Sequence, residues 1–312
     1  MKKILAIGEI LVEIVALEKG DGFREPINLV GPFPSGAPAI FIDQAAKLGH
    51  PCALISAVGD DDFGKLNVDR LRADGVDVSG IAIDPRGTTG SAFVRYREDG
   101  SRSFVFNIAN SACGRLFSTK ETAALIRNAQ HLHITGTSLY SQSAIGMTLA
   151  ALRAIKARGG TVSFDPNLRP EMSRSREVDE AFAEILQNSD LLLASGRELY
   201  LFTKTGQPEA AVHELLEKGV GAIVWKRGDN GASYFDAEGR IDTPAFRVSE
   251  VDATGAGDCF GAAFVVTWLR GGSPRNALIH GCAAGALAVT KTGPMEGAMQ
   301  LAALEALIGH AD

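Results

Sequence analysis

A chain of 312 residues is long enough for one large α/β core or two small domains, and 46% apolar with 22% charged residues is the balance of a folded globular protein. A net charge of -6 argues against nucleic acid or anionic membrane as the main partner, so any phosphate must be held locally by backbone amides and a few Lys or Arg side chains. The four cysteines, Cys52, Cys113, Cys259 and Cys282, are widely spaced without a C-x-x-C pair; Gly8 and Glu9 cut the N-terminal apolar run too short for a secretion signal, and no stretch approaches a membrane span, so a reducing cytoplasm is the expected setting.

In chain order, an apolar run at 4–7 predicts a buried strand. Helical spacing at 39–48 ends at Gly49, a strand follows at 52–58, and a helix at 63–72 stops before Gly75. Strands are then predicted at 131–135, 161–164, 191–194 and 222–225, with helices at 144–157, 178–186 and 211–217 between them. This alternation predicts a mostly parallel sheet with helices on both faces. Two segments break the pattern. Residues 10–32 hold a short apolar run and a Gly/Pro-rich excursion, and 88–107 read as a hairpin turning at Glu98-Asp99-Gly100-Ser101. Together they could form a small β-sheet over the mouth of the main sheet, a lid on a single domain spanning 1–312. Beyond Gly261 the chain becomes a small-residue helical stretch through 281–288, suited to close helix packing or to a flat base slipping past.

The most informative stretch is Asp252-Ala253-Thr254-Gly255-Ala256-Gly257-Asp258, which joins a turn of small residues to an apolar helical run. The N–H groups of Gly255, Ala256 and Gly257 fall in a first helical turn, where they lack intrahelical partners and the dipole favours anions. A carboxylate at Asp258 would repel a resting phosphate, so its placement makes sense if it takes a proton from a hydroxyl attacking phosphorus. An ordinary helix N-terminus gives the same letters.

Other junctions carry weaker signals. Gly59 to Lys65 has Walker A spacing, but Leu66 stands where Ser or Thr should hold Mg²⁺, and Asp60 to Asp62 would oppose phosphates. Asp165-Pro166-Asn167-Leu168-Arg169 follows a predicted strand at its carboxyl end, where open α/β sheets bind ligands; the planar fork of Arg169 suits an oxyanion, although a surface turn is the alternative. Ser195 and Glu198 have capping-box spacing. His131 and His133 share a strand face with no third ligand nearby.

The 252–264 stretch resembles the C-terminal motif of the ribokinase-like (PfkB) carbohydrate kinases, with Ala253 where that family usually has Thr. Further matches follow the family order. Gly8 to Glu13 resembles its G-E-x-L-V-D opening, and Gly36-Ala37 its sugar loop, with Ile40 near the place of the usual Asn. Gly59 to Gly64 is similar to its G-D-D-x-F-G element. Asp165 to Arg169 matches the D-x-N-x-R element of fructokinases and ketodeoxygluconate kinases, Ser195 to Glu198 its N-x-x-E, and Lys226 to Gly231 its nucleotide loop.

The resemblance implies a three-layer ribokinase-like α/β fold and transfer of the γ-phosphoryl of ATP to a sugar. It makes Asp258 the base, the amides of Gly255, Ala256 and Gly257 the charge-stabilising cradle, and Asp252 the residue that orients the turn. It implies Glu13, Gly36, Ala37 and Arg169 at the sugar, where the amide of Asn107 could also donate to and accept from neutral hydroxyls, and Ser195, Lys226, Gly228, Gly231, Thr254 and Ala284 at the nucleotide. Glu198 would act on Mg²⁺ through water; capping and metal roles are compatible. A homodimer through the lid is also implied. The wording of 31–43 is similar to tagatose kinases of this family, and 104–112 lacks Tyr or Arg, so a neutral ketohexose is expected, tagatose first and fructose second. A 2-keto-3-deoxygluconate kinase and a catalytically idle sugar-binding regulator are the alternatives.

Overall fold

The computed structural model describes residues 1–168 and 175–310. Its main sheet is built from β1 (Ile4–Ile7), β4 (Cys52–Gly59), β5 (Asp77–Asp84), β8 (His131–Thr135), β9 (Thr161–Asp165), β10 (Leu191–Ser195), β11 (Ala222–Lys226), β12 (Ala232–Asp236) and β13 (Gly239–Thr243). The spatial order is β13-β12-β11-β10-β9-β8-β1-β4-β5, with every pairing parallel except β11–β12 and β12–β13, so that β12 alone runs against the rest. A second sheet, in the order β3-β2-β6-β7, uses β2 (Leu11–Ala16), β3 (Leu29–Ser35), β6 (Gly90–Tyr96) and β7 (Arg102–Asn107).

The parallel strands are apolar on both faces because both are covered. In β1, Ile4 and Ala6 pack with α1 (Ala37–Lys47), α2 (Asp62–Ala73), α7 (Ala256–Leu269), α8 (Pro274–Ala288) and α9 (Leu301–Gly309). Leu5 and Ile7 point the other way, into the core closed by α3 (Lys120–Asn128), α4 (Gln142–Lys156), α5 (Arg176–Gln187) and α6 (Pro208–Glu217). Each fully buried Leu, Ile or Phe contributes about 1.5–3 kcal/mol of transfer free energy, which makes this double covering the main source of stability.

Three local features settle readings made from sequence. Asp61 N-caps α2 by accepting from Gly64 N–H at 2.8 Å and binds the Thr89 N–H and hydroxyl, both at 2.7 Å, so the Walker-like stretch is a capped helix start. His131 and His133 are buried and bonded to Thr161 and Ser163 hydroxyls; burial drives both pKa values down, His131 to about 3, and keeps them neutral core residues. All four cysteines are free and buried, and among the described residues no helix is long and apolar enough to cross a membrane.

The strand order reverses at β1, which lies between β8 and β4. Crevices at such switch points, outside the carboxyl ends of the strands, are where this architecture receives ligands. The second sheet joins the chain there: β2 leaves directly after β1, and β3 leads into α1.

Candidate active site

Gly255 caps α7 with φ 81°, and a Cβ on it would lie 2.3 Å from the Pro294 carbonyl oxygen. Only glycine fits both conditions. The first α-helical bond of this turn runs from Cys259 N–H to Gly255 O, so the preceding N–H groups have no acceptor within the helix and make an anion cradle. A Cβ on Gly257 would meet just the Lys226 Nζ, at 3.6 Å, so that face of the turn is open apart from one cation. Asp252 holds the turn from behind: Thr254 N–H donates to one carboxylate oxygen at 2.9 Å and Gly293 N–H to the other at 3.0 Å.

Asp258 lies in the first turn of α7, 7% exposed, and accepts from Asn167 Nδ2 at 3.4 Å. Asn167 follows β9 in the left-handed region, φ 36°, which Asn tolerates better than most residues; its N–H donates to Asp165 Oδ1 at 3.2 Å. Lys226, at the end of β11, donates to Asp165 Oδ2 at 2.5 Å with both side chains buried. Glu198 accepts from Leu168 N–H and Ser195 N–H, each at 2.8 Å. Burial raises the Glu198 pKa, and the neighbouring Asp165 adds to the rise. For Lys226, burial works against the charge, but Asp165 and Glu198, with Asp258 farther off, outweigh it and hold the pKa above its ordinary value. The ends of β9, β10 and β11 and the start of α7 thus bring three carboxylates, one ammonium and one amide to the amide turn.

At the switch point, Glu9 is buried after β1 and accepts from Thr137 Oγ1 at 2.8 Å and Ser138 Oγ at 3.0 Å, joining the ends of β1 and β8. Gly36 packs against it, since a Cβ there would lie 2.4 Å from Glu9 O, and Ala37 opens α1. Glu13 is buried on β2 in one cross-strand row with Phe33, Ala92 and Phe106. A cavity of about 410 Å³ opens beside this region and reaches the cluster at Asn167; Phe106, Ile108, Thr137 and Tyr140 are among its walls. Glu13, Gly36, Ala37 and Asp258 border the region without lining that cavity.

Some expected contacts are corrected. Asn107 sits on the strand face opposite Phe106 and is exposed, so alternation turns it away from the cavity that Phe106 lines. Ala284 is fully buried in α8 and has no surface to offer a nucleotide. Lys226 is committed first to Asp165, and Arg227 lies over Trp225 and pairs with Asp242. Gly228, with φ 56°, has open space where a Cβ would point, whereas Gly231 is tight against Thr243 O. Arg169 lies outside the described residues. Sequence reading assigned no role to Glu9 or Asn167; an Asn just past a strand end was the available signal for the latter.

The family model for the pfkB family carbohydrate kinase matches residues 1–300. Fructokinase-2 of Zea mays is 32% identical over 318 residues, covering 99% of this chain and 95% of the maize protein. The 2-dehydro-3-deoxygluconokinase of Thermoproteus tenax is 33% identical, covering 95% and 91%. A crystal structure from E. coli, described as "a putative Ribokinase II in complex with ATP and Mg+2", superimposes with a TM-score of 0.92 at 44% identity, covering 99% of this chain and 100% of that one. With the family model matching residues 1–300 and relatives at 32–33% identity along more than nine-tenths of the chain, this protein belongs to the pfkB family of carbohydrate kinases, and it is a sugar kinase.

Proposed function

We propose that this kinase transfers the γ-phosphoryl group of ATP to the terminal primary hydroxyl of a neutral ketohexose, with tagatose the first candidate and fructose the second. The observation that carries the reading is Asp258 at the mouth of the amide turn, fastened to Asn167, which also walls the adjoining cavity. In this reading Asp258 removes the hydroxyl proton, and the amides of Gly255, Ala256 and Gly257 stabilise charge on the group in transfer. Retention of this carboxylate favours an enzyme over an idle sugar-binding regulator.

The donor set suits an ion that arrives with the nucleotide. Among the described residues no group of three or more His, Cys, Asp or Glu side chains could hold a metal, and both Glu198 oxygens already accept backbone N–H groups. Glu198 would therefore reach Mg²⁺ through water, and the ion, when bound, would neutralise triphosphate charge.

Neutrality of the sugar is supported by the hairpin. The hairpin arginines are occupied elsewhere. Arg95 binds the carbonyls of Glu18, Lys19 and Gly22, Arg97 pairs with Asp21, and Arg102 donates to Thr254. Burying a carboxylate without a cation costs several kcal/mol, on the order of a thousandfold in specificity. A kinetic panel is expected to give higher kcat/KM for D-tagatose and D-fructose than for 2-keto-3-deoxygluconate; the reverse order would assign the acid-sugar activity borne by the T. tenax relative.

We also propose a cytoplasmic homodimer that meets through the four-stranded sheet, with 1–312 acting as one domain. The free thiols support the compartment; the edge strands β3 and β7, with Leu29 and Val105 exposed, support the contact. Sedimentation at micromolar concentration is expected to give a dimer that Val105→Lys converts to monomer. A wild-type monomer overturns this assembly.

A further inference from the structure

Tyr96 ends β6 on the same face as Ala92 and Val94, and its hydroxyl leaves the small sheet altogether. It donates to Asp252 Oδ1 at 2.5 Å and lies 3.3 Å from Thr254 Oγ1. That Asp252 oxygen also accepts from Thr254 N–H, while its other oxygen accepts from Gly293 N–H. Gly293 precedes Pro294, whose carbonyl presses on Gly255. One carboxylate therefore ties both walls of the amide turn together, and Tyr96 holds that carboxylate from the hairpin. From the other side of the hairpin turn, Arg102 donates to Thr254 Oγ1 at 3.2 Å.

The same strand continues to the sugar side. Arg102 lies over the Phe104 ring at 5.5 Å, Phe104 stacks on Phe106 at 5.0 Å, and Phe106 walls the cavity. A row of contacts thus runs from the phosphate cradle to the cavity along β7. Burial and the Asp252 carboxylate push the Tyr96 pKa up to about 12, so the phenol remains a donor throughout any practical assay range.

We propose that Tyr96 is a positioning residue for the phosphate-binding turn, acting through Asp252, and that the hairpin thereby ties the geometry of that turn to the sugar side. The inference rests on the amide turn being the site of phosphoryl transfer. If Tyr96 served only to anchor the hairpin, its loss would loosen sugar binding and raise KM. If it sets the turn, its loss acts where charge develops and lowers kcat.

Tyr96→Phe keeps the ring and its packing while removing the donor. With fructose and ATP, kcat is expected to fall about tenfold, the rate equivalent of a hydrogen bond to a charged acceptor, while the fructose KM changes by less than about twofold. In an Asp252→Asn background the same substitution should cost much less, because the two act as one unit. Wild-type kcat in Tyr96→Phe, a rise in KM alone, or fully additive losses in the double variant would each overturn the proposal. Asp258→Asn measured in parallel separates the two levels. If it is inactive while Tyr96→Phe is normal, the turn reading stands and the tyrosine role fails; if it is active, the turn reading itself fails and takes the proposal with it.

Discussion

Asp258→Asn is expected to lower kcat by at least about 10²–10⁴-fold, the usual worth of a positioned general base, while leaving ATP affinity largely intact. The asparagine fills the same space in the first turn of α7 and leaves the Gly255 cap and the amide cradle unchanged, so the loss reads the proton transfer itself. Asn167 Nδ2 keeps an oxygen to donate to, which favours retention of local geometry. Removing a carboxylate from the edge of an anion site also removes a repulsion, so ATP binding should hold or tighten slightly. Isothermal titration with ATP and steady-state kinetics with a turned-over ketohexose check the two halves separately. Near-wild-type kcat would remove Asp258 from the mechanism.

Where local chemistry decides the outcome, sequence was enough. The apolar runs that became β1 and β8 end where periodicity places them, and the glycines after the amide turn's Thr254 announce a helix N-terminus at Ala256. The hairpin was equally plain, because alternation across Glu98 to Ser101 survives in the β6–β7 pairing. Other elements left weak traces. β5 is half exposed along most of its length, so it carries neither a continuous apolar run nor clean alternation. α3 spans nine residues with two buried, and its boundaries come from the Thr119–Thr122 capping box. The antiparallel pairings of β12 and β13 at the sheet edge are the part that a mostly parallel reading allowed for but did not locate.

The site divides in the same way. Glycines and carboxylates at strand ends are visible as letters because a turn or an anion site needs those residue types. Partnerships across 156 or 152 residues, such as Tyr96 with Asp252 or Arg102 with Thr254, leave no local pattern to read. Asn107 shows the opposite error. A polar residue beside an aromatic invites a binding role, yet in a strand adjacent residues face opposite ways, and Phe106 took the inward place.

The second large effect is expected at Lys226, whose ammonium faces the buried carboxylates of Asp165 and Glu198. Lys226→Met keeps the stem length and removes the charge, leaving the buried Asp165 carboxylate without its 2.5 Å partner. Breaking one side of a buried ion pair typically costs about 3–5 kcal/mol, far more than the intact pair contributes, because the remaining charge is neither solvated nor answered. Chemical unfolding should therefore show a large loss for Lys226→Met, and Asp165→Asn added to it should restore a substantial part. The pH dependence follows from the same charges. Glu198 already has a raised pKa from burial and from Asp165, and loss of the cation raises it further. A carboxyl whose folded pKa exceeds its unfolded value contributes stability below the unfolded pKa and loses it as pH rises through the folded one. The deficit of Lys226→Met against wild type should accordingly be larger near pH 8 and narrow as pH falls toward 5.5, as the Glu198 carboxyl takes up its proton. An equal deficit at both pH values would mean that lost packing, and not unanswered charge, is what the lysine prevents.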